Sequence, residues 1–300
     1  MLSIILTAHN EGREVRRTTR SLLAQTRGEI EVVLVDDASS DGCCDGAGAD
    51  RVTIVRNENR IGVAASRCQG IRAASGDVFV IVDGHQRVSP GALNRCATLA
   101  RQRSAIIFPD IRGFDRESAT IHGATFQLCP KHGYFTAKWN TRIPRRRVTQ
   151  VSSLRAPAYV MSRDVYNQVR WIRGLRNWGG SEAAVSVKAF FLNIPILHLC
   201  GTLTRHKFKK KLQYDASWDD VWRNQALIAR VCFSDHSWYE YWLPKVFDGH
   251  LTDEAVSDME SESVLAQQKE FSHMKTRSDA EFWTDLLKQP VPRELSRTSP

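Results

Sequence analysis

Three apolar runs near the N-terminus, at residues 3–7, 31–35 and 77–82, each stop on polar residues: His9-Asn10-Glu11, Asp36-Asp37 and Asp83-Gly84-His85. Between them lie stretches of helical periodicity. Residues 14–25 set Val15, Leu22 and Leu23 on one face and Arg16, Arg17 and Arg20 on another, and residues 62–74 form a second helix of small residues. A further strand is expected at 51–55. A helix at 90–102 is expected to begin behind Ser89 as N-cap, with Pro90 in its first turn. Strand and helix in alternation predict an α/β fold with a parallel sheet, and such sheets bind ligands beyond the carboxyl ends of their strands. The polar residues at those ends are therefore the first candidates for a site.

Beyond residue 104 the pattern changes. Strands expected at 105–109 and 120–125 look antiparallel, a basic loop RIPRRR covers 142–147, and helices at 165–171 and 181–192 flank a strand at 194–199. An amphipathic helix is expected at 218–232. The organisation read from this is a first half at 1–104, a second half of the same domain at 105–214, and a helical C-terminal extension at 215–300. The Pro/Ser/Thr-rich last ten or so residues are expected to be disordered.

The net charge of +9 is unevenly placed. Residues 251–300 hold 6 Lys/Arg against 10 Asp/Glu, leaving 36 against 23 in the body. A basic body favours anionic ligands such as nucleotide phosphates, nucleic acid or a lipid-linked phosphate. Seven cysteines in no C-x-x-C spacing suggest reduced thiols, with Cys43-Cys44 as loop decoration. No apolar run approaches the roughly 20 residues that span a bilayer, and MLSIILTAHNEG lacks the basic n-region of a signal peptide. Both points lead to the expectation of a cytoplasmic protein with no transmembrane segment.

Asp83-Gly84-His85 reads in two ways. It is a polar strand terminus, or it is a compact pair of metal ligands. Five motifs bear on the choice: TAHNE at 7–11, VDDASSDG at 35–42, RNENRIGVAASRCQGIRAASGDVFVIVDGH at 56–85, NWGGSEAAVSVKAF at 177–190 and RHKFKKKLQY at 205–214. In that order they resemble the family 2 glycosyltransferases of GT-A fold, above all the catalytic domain of the polypeptide N-acetylgalactosaminyltransferases, whose Asp-x-His stands where Asp-x-Asp is commoner. The resemblance implies a Rossmann-like nucleotide-sugar-binding half joined to a mixed-sheet acceptor half, and transfer of a sugar from a UDP-sugar donor. It also implies a metal held by Asp83, His85 and His206. Mixed carboxylate and imidazole ligation suits Mn²⁺ better than Ca²⁺, and the ion expected, Mn²⁺ (or Mg²⁺), would neutralise a diphosphate leaving group as a Lewis acid. Thr7, His9, Glu11 and one of Asp36 or Asp37 fall on the nucleotide side. Arg60, Arg67 and Lys209 match phosphate or sugar contacts, and Trp178 and Tyr214 match packing groups over the donor. For Arg67 a solvated helix-face arginine is an equal reading.

The chain departs from that family at W-G-G-E-N, where Ser181 and Glu182 replace the acid and the asparagine. Inverting family 2 enzymes place a general base at the second position, so Glu182 is expected to deprotonate the acceptor hydroxyl. The metal triad resembles the retaining enzymes, and Glu182 also suits a helix N-terminus. The acceptor is left as a glycan, a protein or a modified base of nucleic acid. A non-catalytic binding protein on the same scaffold is the third reading.

Overall fold

The side chains of the first strand divide between two cores, and that division organises the molecule. The computed structural model describes residues 1–115, 117–155, 157–209 and 217–296. In β1 (Leu2–Ala8), Leu2, Ile4 and Leu6 point to one side of the sheet and Ile5 to the other. A strand buried on both faces needs layers above and below it, and helices supply them. On one side α1 (Glu14–Gln25) contributes Val15 and Leu22, and α3 (Ala92–Arg103) contributes Leu93, Cys96 and Ala97. On the other, α2 (Val63–Ala73) contributes Ala64 and Ile71.

β1 pairs in parallel with β2 (Ile30–Asp36) and with β4 (Val78–Asp83), and β2 pairs in parallel with β3 (Val52–Arg56). The register sets Thr7 opposite Asp83 and Ala8 opposite Asp36. The expected strand-end residues therefore share one edge. The remaining strands are β5 (Gln86–Val88), β6 (Ile106–Gly113), β7 (Ala124–Leu128), β8 (Phe135–Trp139), β9 (Val148–Val151), β10 (Ala158–Ser162) and β11 (Ile196–His206). A nine-stranded sheet runs β3-β2-β1-β4-β10-β6-β11-β5, with β9 also paired to β11, while β7 and β8 form a hairpin. β10 is antiparallel to both β4 and β6, so the parallel and mixed parts are one sheet. The resulting α/β architecture is the one expected.

Several boundaries differ from expectation. α3 begins at Ala92 behind Gly91, whose φ of 64° is left-handed; Ser89 caps nothing with its side chain, and its carbonyl accepts the Ala92 N–H at 3.0 Å. β11 does not stop at residue 199 but runs to His206, because an irregularity between Leu199 and Leu203 absorbs Cys200, Gly201 and Thr202. Cys43 and Cys44 are buried in the core beside α1 rather than displayed on a loop. All seven cysteines are free.

α4 (Arg163–Val169), α5 (Ser181–Phe191) and α6 (Trp218–Cys232) cover the second core. The C-terminal region is helical, as expected: α7 (Asp235–Ser237) continues as a π-helical segment at Trp238–Phe247, and α8 (Asp253–Met259) and α9 (Glu262–Met274) follow. α10 (Asp279–Glu281) then continues as π-helix through Phe282–Leu286, before α11 (Arg293–Ser296). Rings from this region enter the core of the second half. Trp242 stands 4.8 Å from Phe135 of β8, and Phe233 stands 5.1 Å from Phe191 of α5. Of the last ten or so residues, expected to be disordered, 297–300 lie outside the described residues, whereas Arg293–Ser296 form α11. No helix among the described residues is long and apolar enough to cross a membrane.

α2 lies close on the sheet because it carries glycine at its contact point: a Cβ on Gly70 would stand 2.5 Å from Ile5 Cγ2 and 3.0 Å from Val35 Cγ2. Gly70→Ala should therefore lower stability by about 1–3 kcal/mol, the usual range for overpacking, despite alanine's better helix propensity. Urea unfolding followed by circular dichroism measures it, and an unchanged midpoint would show that α2 shifts freely.

Candidate active site

At the strand ends of the parallel half, a cleft of about 560 Å³ opens between β1, β4, the N-terminus of α5 and α6. Thr7, His9, Glu11, Asp37, Arg60, Arg67, Asp83, His85, Trp178, Glu182, His206 and Lys209 all line it. Of the expected site residues, Asp36 does not. Its carboxylate accepts from Arg56 Nη1 at 2.7 Å and from the Ser39 N–H at 2.9 Å, which turns it toward β3. Asp37 is the member of the pair in the cleft. It accepts the backbone N–H groups of Ile61 and Gly62, both at 2.9 Å, and so anchors the loop that carries Arg60. His9 donates from Nδ1 to the Asp37 carbonyl at 2.7 Å. Tyr214 lies outside the described residues.

Asp83, His85 and His206 offer ligand atoms that all lie within 4.8 Å of one another. β4 delivers the first, the following turn the second and the end of β11 the third. His206 Nε2 stands 3.5 Å from Asp83 Oδ2, an ion-pair contact, and both ring nitrogens of His206 are buried without a hydrogen-bond partner. Buried polar atoms without partners are rare, and here they face a carboxylate and a second imidazole. The His85 and His206 rings are 4.6 Å apart. This is a donor set that fits a first-row divalent cation. Burial pushes the Asp83 carboxyl up, but His206 and the Arg67 guanidinium outweigh it and bring it to about 2, so the carboxylate is ionised throughout the physiological range.

Arg67 is not a solvated helix-face residue. It is 2% exposed on the floor of the cleft, where Nη1 reaches Glu182 Oε1 at 2.5 Å and Ser181 Oγ at 3.2 Å, and Nη2 reaches Asp83 Oδ1 at 3.2 Å. The Ser181 hydroxyl donates to Glu182 Oε2 at 2.7 Å. Glu182 thus sits in the first turn of α5, oriented through both oxygens and joined through one arginine to the carboxylate of the triad.

Sequence reading missed the support of this loop. Asn224 of α6, fully buried, accepts the Arg176 N–H at 2.8 Å and donates to the carbonyls of Arg176 and Gly179 at 2.8 and 3.0 Å. Trp218, Val221 and Gln225 bring the same helix into the cleft wall. It also missed Trp139 and Arg155, whose guanidinium lies 4.8 Å from the Trp139 ring centroid, and the aromatic ring of Phe208 beside them. These contacts join segments far apart in the chain, and no local pattern signals them.

A second acid–imidazole group lies away from the cleft. Asp110 Oδ1 stands 2.7 Å from both His122 Nδ1 and His198 Nε2, and Asp110 Oδ2 accepts the Gly201 N–H at 2.6 Å. Those are hydrogen-bond distances to one shared oxygen, and they describe a polar network under the β11 irregularity in which His198 Nδ1 is buried without a hydrogen-bond partner. Burial raises the Asp110 carboxyl, and the His198 and Gly201 donors more than reverse that, leaving it below the ordinary carboxylate value.

Residues 3–183 match the family model of Glycosyl transferase family 2. The chain belongs to that family. Among curated relatives it is 26% identical over 231 residues to polypeptide N-acetylgalactosaminyltransferase 4 of Caenorhabditis elegans, covering 71% of this chain and 39% of the relative. It is 24% identical over 260 residues to human polypeptide N-acetylgalactosaminyltransferase 14, covering 80% and 47%. The chain thus spans less than half the length of these relatives. Among solved structures, GalNAc-T7 with UDP, GalNAc and Mn²⁺ superposes with a TM-score of 0.66 at 18% identity, covering 91% of this chain and 56% of the other. Staphylococcus aureus TarS 1–349 in complex with UDP-GlcNAc gives a TM-score of 0.55 at 14% identity, covering 91% and 81%. The chain has the GT-A fold of these structures.

Asn224→Ala should leave the 176–180 loop without its buried partner and cost about 1–3 kcal/mol, the penalty of unsatisfied buried groups. Hydrogen exchange of the Arg176 amide should rise with it. Unchanged protection there would show that the loop holds itself.

Proposed function

We propose that the protein transfers a sugar from a UDP-sugar to an acceptor hydroxyl, with a divalent cation, Mn²⁺ by its ligand types, held by Asp83, His85 and His206. The observation that carries this reading is the open carboxylate–imidazole triad, with two unpartnered nitrogens on His206, at the strand ends that line the cleft. A bound cation would supply Lewis-acid neutralisation of the diphosphate. Thr7, His9 and Asp37 lie where the nucleotide's base and ribose would rest, and the relatives solved with UDP or UDP-GlcNAc support that donor. Arg60 and Lys209 then face the phosphates, while Trp178, 43% exposed, packs over the donor.

Glu182 is the base in this reading. Arg67 and Ser181 fix its carboxylate, and an ionised carboxylate aimed at the acceptor hydroxyl can take its proton as that oxygen attacks the anomeric carbon from the face opposite the diphosphate. Inversion follows. A retaining course is favoured by one observation: both Glu182 oxygens already carry a donor, which suits holding a sugar hydroxyl as well as it suits accepting a proton. For the acceptor, the exposed Trp218 together with Trp139 and Phe208 in the cleft wall favours an additional reading, a hydroxymethylated base of nucleic acid stacked on those rings. Binding to plain DNA that falls steeply with salt would support it.

Asp83→Ala and His206→Ala should each abolish Mn²⁺-dependent hydrolysis of a UDP-sugar, and calorimetry should show UDP bound in preference to GDP. Wild-type turnover in both variants, or equal affinity for the two nucleotides, would overturn the assignment. Glu182→Gln should lower kcat by about 10²–10⁴-fold with UDP affinity nearly unchanged. The product anomer, read by NMR, decides between courses: a β-linkage from an α-configured donor supports the base, and an α-linkage refutes it.

A further inference from the structure

Glu11 runs beneath the Asp83-Gly84-His85 turn, and the chain is shaped to admit it. A Cβ on Gly84 would stand 3.0 Å from Glu11 Cγ and 3.2 Å from the Thr7 carbonyl, so glycine at this position leaves the space that the glutamate stem fills. The Glu11 side chain is only 10% exposed. One oxygen, Oε2, lies 3.0 Å from His85 Nδ1, and the other, Oε1, lies 2.7 Å from Lys209 Nζ. The Lys209 ammonium on Oε1 is the partner of a carboxylate, and Oε2 is left to face the imidazole. An ionised carboxylate only accepts hydrogen bonds, so the atom facing Oε2 is an N–H on Nδ1. In the neutral ring the lone pair is then on Nε2.

We propose that Glu11 is the positioning residue of the cation site rather than a nucleotide contact: it commits His85 to the Nδ1–H tautomer, leaving Nε2 as the ligand atom beside Asp83 and His206. The assignment rests on the reading of that triad as a metal site. Histidine ligands are commonly oriented by a carboxylate behind the ring, and removing such a partner typically weakens metal binding about 10–100-fold. The second oxygen adds a link that an ordinary orienting acid lacks. Through Lys209 it ties the segment just after β11, which delivers His206, to the same carboxylate that aligns His85. One acid therefore sets two of the three ligands in register.

Two measurements on the full chain without donor test this. Isothermal titration with Mn²⁺ should show Glu11→Ala weakened about 10–100-fold, with Glu11→Gln, whose carbonyl can still accept from Nδ1–H, recovering most of the loss. Independently of any metal, nitrogen-15 NMR of the histidine rings should find His85 as the Nδ1–H tautomer in the wild type and as a mixture in Glu11→Ala. Wild-type Mn²⁺ affinity in Glu11→Ala, alongside its loss in Asp83→Ala, would overturn the role of Glu11 and leave the metal site standing. Should Asp83→Ala also bind Mn²⁺ like the wild type, the metal site itself fails, and the proposal with it. An Nε2–H tautomer in the wild type, or an unaltered Nδ1–H tautomer in Glu11→Ala, overturns the proposal whatever the titration gives.

Discussion

A guanidinium in the floor of a protein cleft is stable only where carboxylates meet it, because an unpaired buried charge costs more than packing returns. Arg67 occupies such a place. Its partners come from two directions, Asp83 from the end of β4 and Glu182 from the start of α5. The contact therefore fastens the parallel half of the sheet to the loop and helix of the second half at the point where donor and acceptor would meet. Loss of the arginine would leave two acids facing each other across the cleft. Loss of either acid would leave the arginine with less than its charge requires. The site is in this sense one electrostatic unit, and the fold around it keeps the three side chains in reach.

Backbone contact reinforces that unit. Gly62, at φ 87°, lies so close to Asn177 that a Cβ would stand 2.7 Å from the Asn177 N, and the Val63 N–H donates to the Asn177 carbonyl at 3.0 Å. The loop held by Asp37 thus abuts the WGG segment directly. From behind, Asn224, Val221 and Ile228 of α6 hold that same segment. Through Trp218, Val221 and Gln225, α6 forms part of the cleft wall.

What the sequence disclosed and what it withheld follow from the range of the interactions. Strand ends were legible because a run such as VFVIVD buries every side chain but the last, and the acid that ends it has nowhere to go but the sheet's edge. The motif order, from TAHNE to RHKF, carried the fold and the triad. Choosing Asp37 over Asp36 needed coordinates, since the two differ only in which way the chain turns after β2. Arg67 read equally as a surface residue because its carboxylates are 16 and 115 positions away. Asn224 gave no signal at all, for an asparagine in an amphipathic helix looks like any polar position until the backbone it serves is in view.

The strand order also carries a kinetic consequence. β4 is flanked on one side by β1, already made when it emerges, and on the other by β10, which is synthesised only after the α3 helix, β6, the β7–β8 hairpin and the basic loop. Throughout that interval β4 is an edge strand of an unfinished sheet, with Phe79 and Ile81 uncovered on the side that β10, α4 and the C-terminal helices later close. Edges of that kind invite pairing with other chains, and non-local strands insert slowly. The nascent protein is therefore most exposed to aggregation while its parallel half is complete and its second half is still being translated.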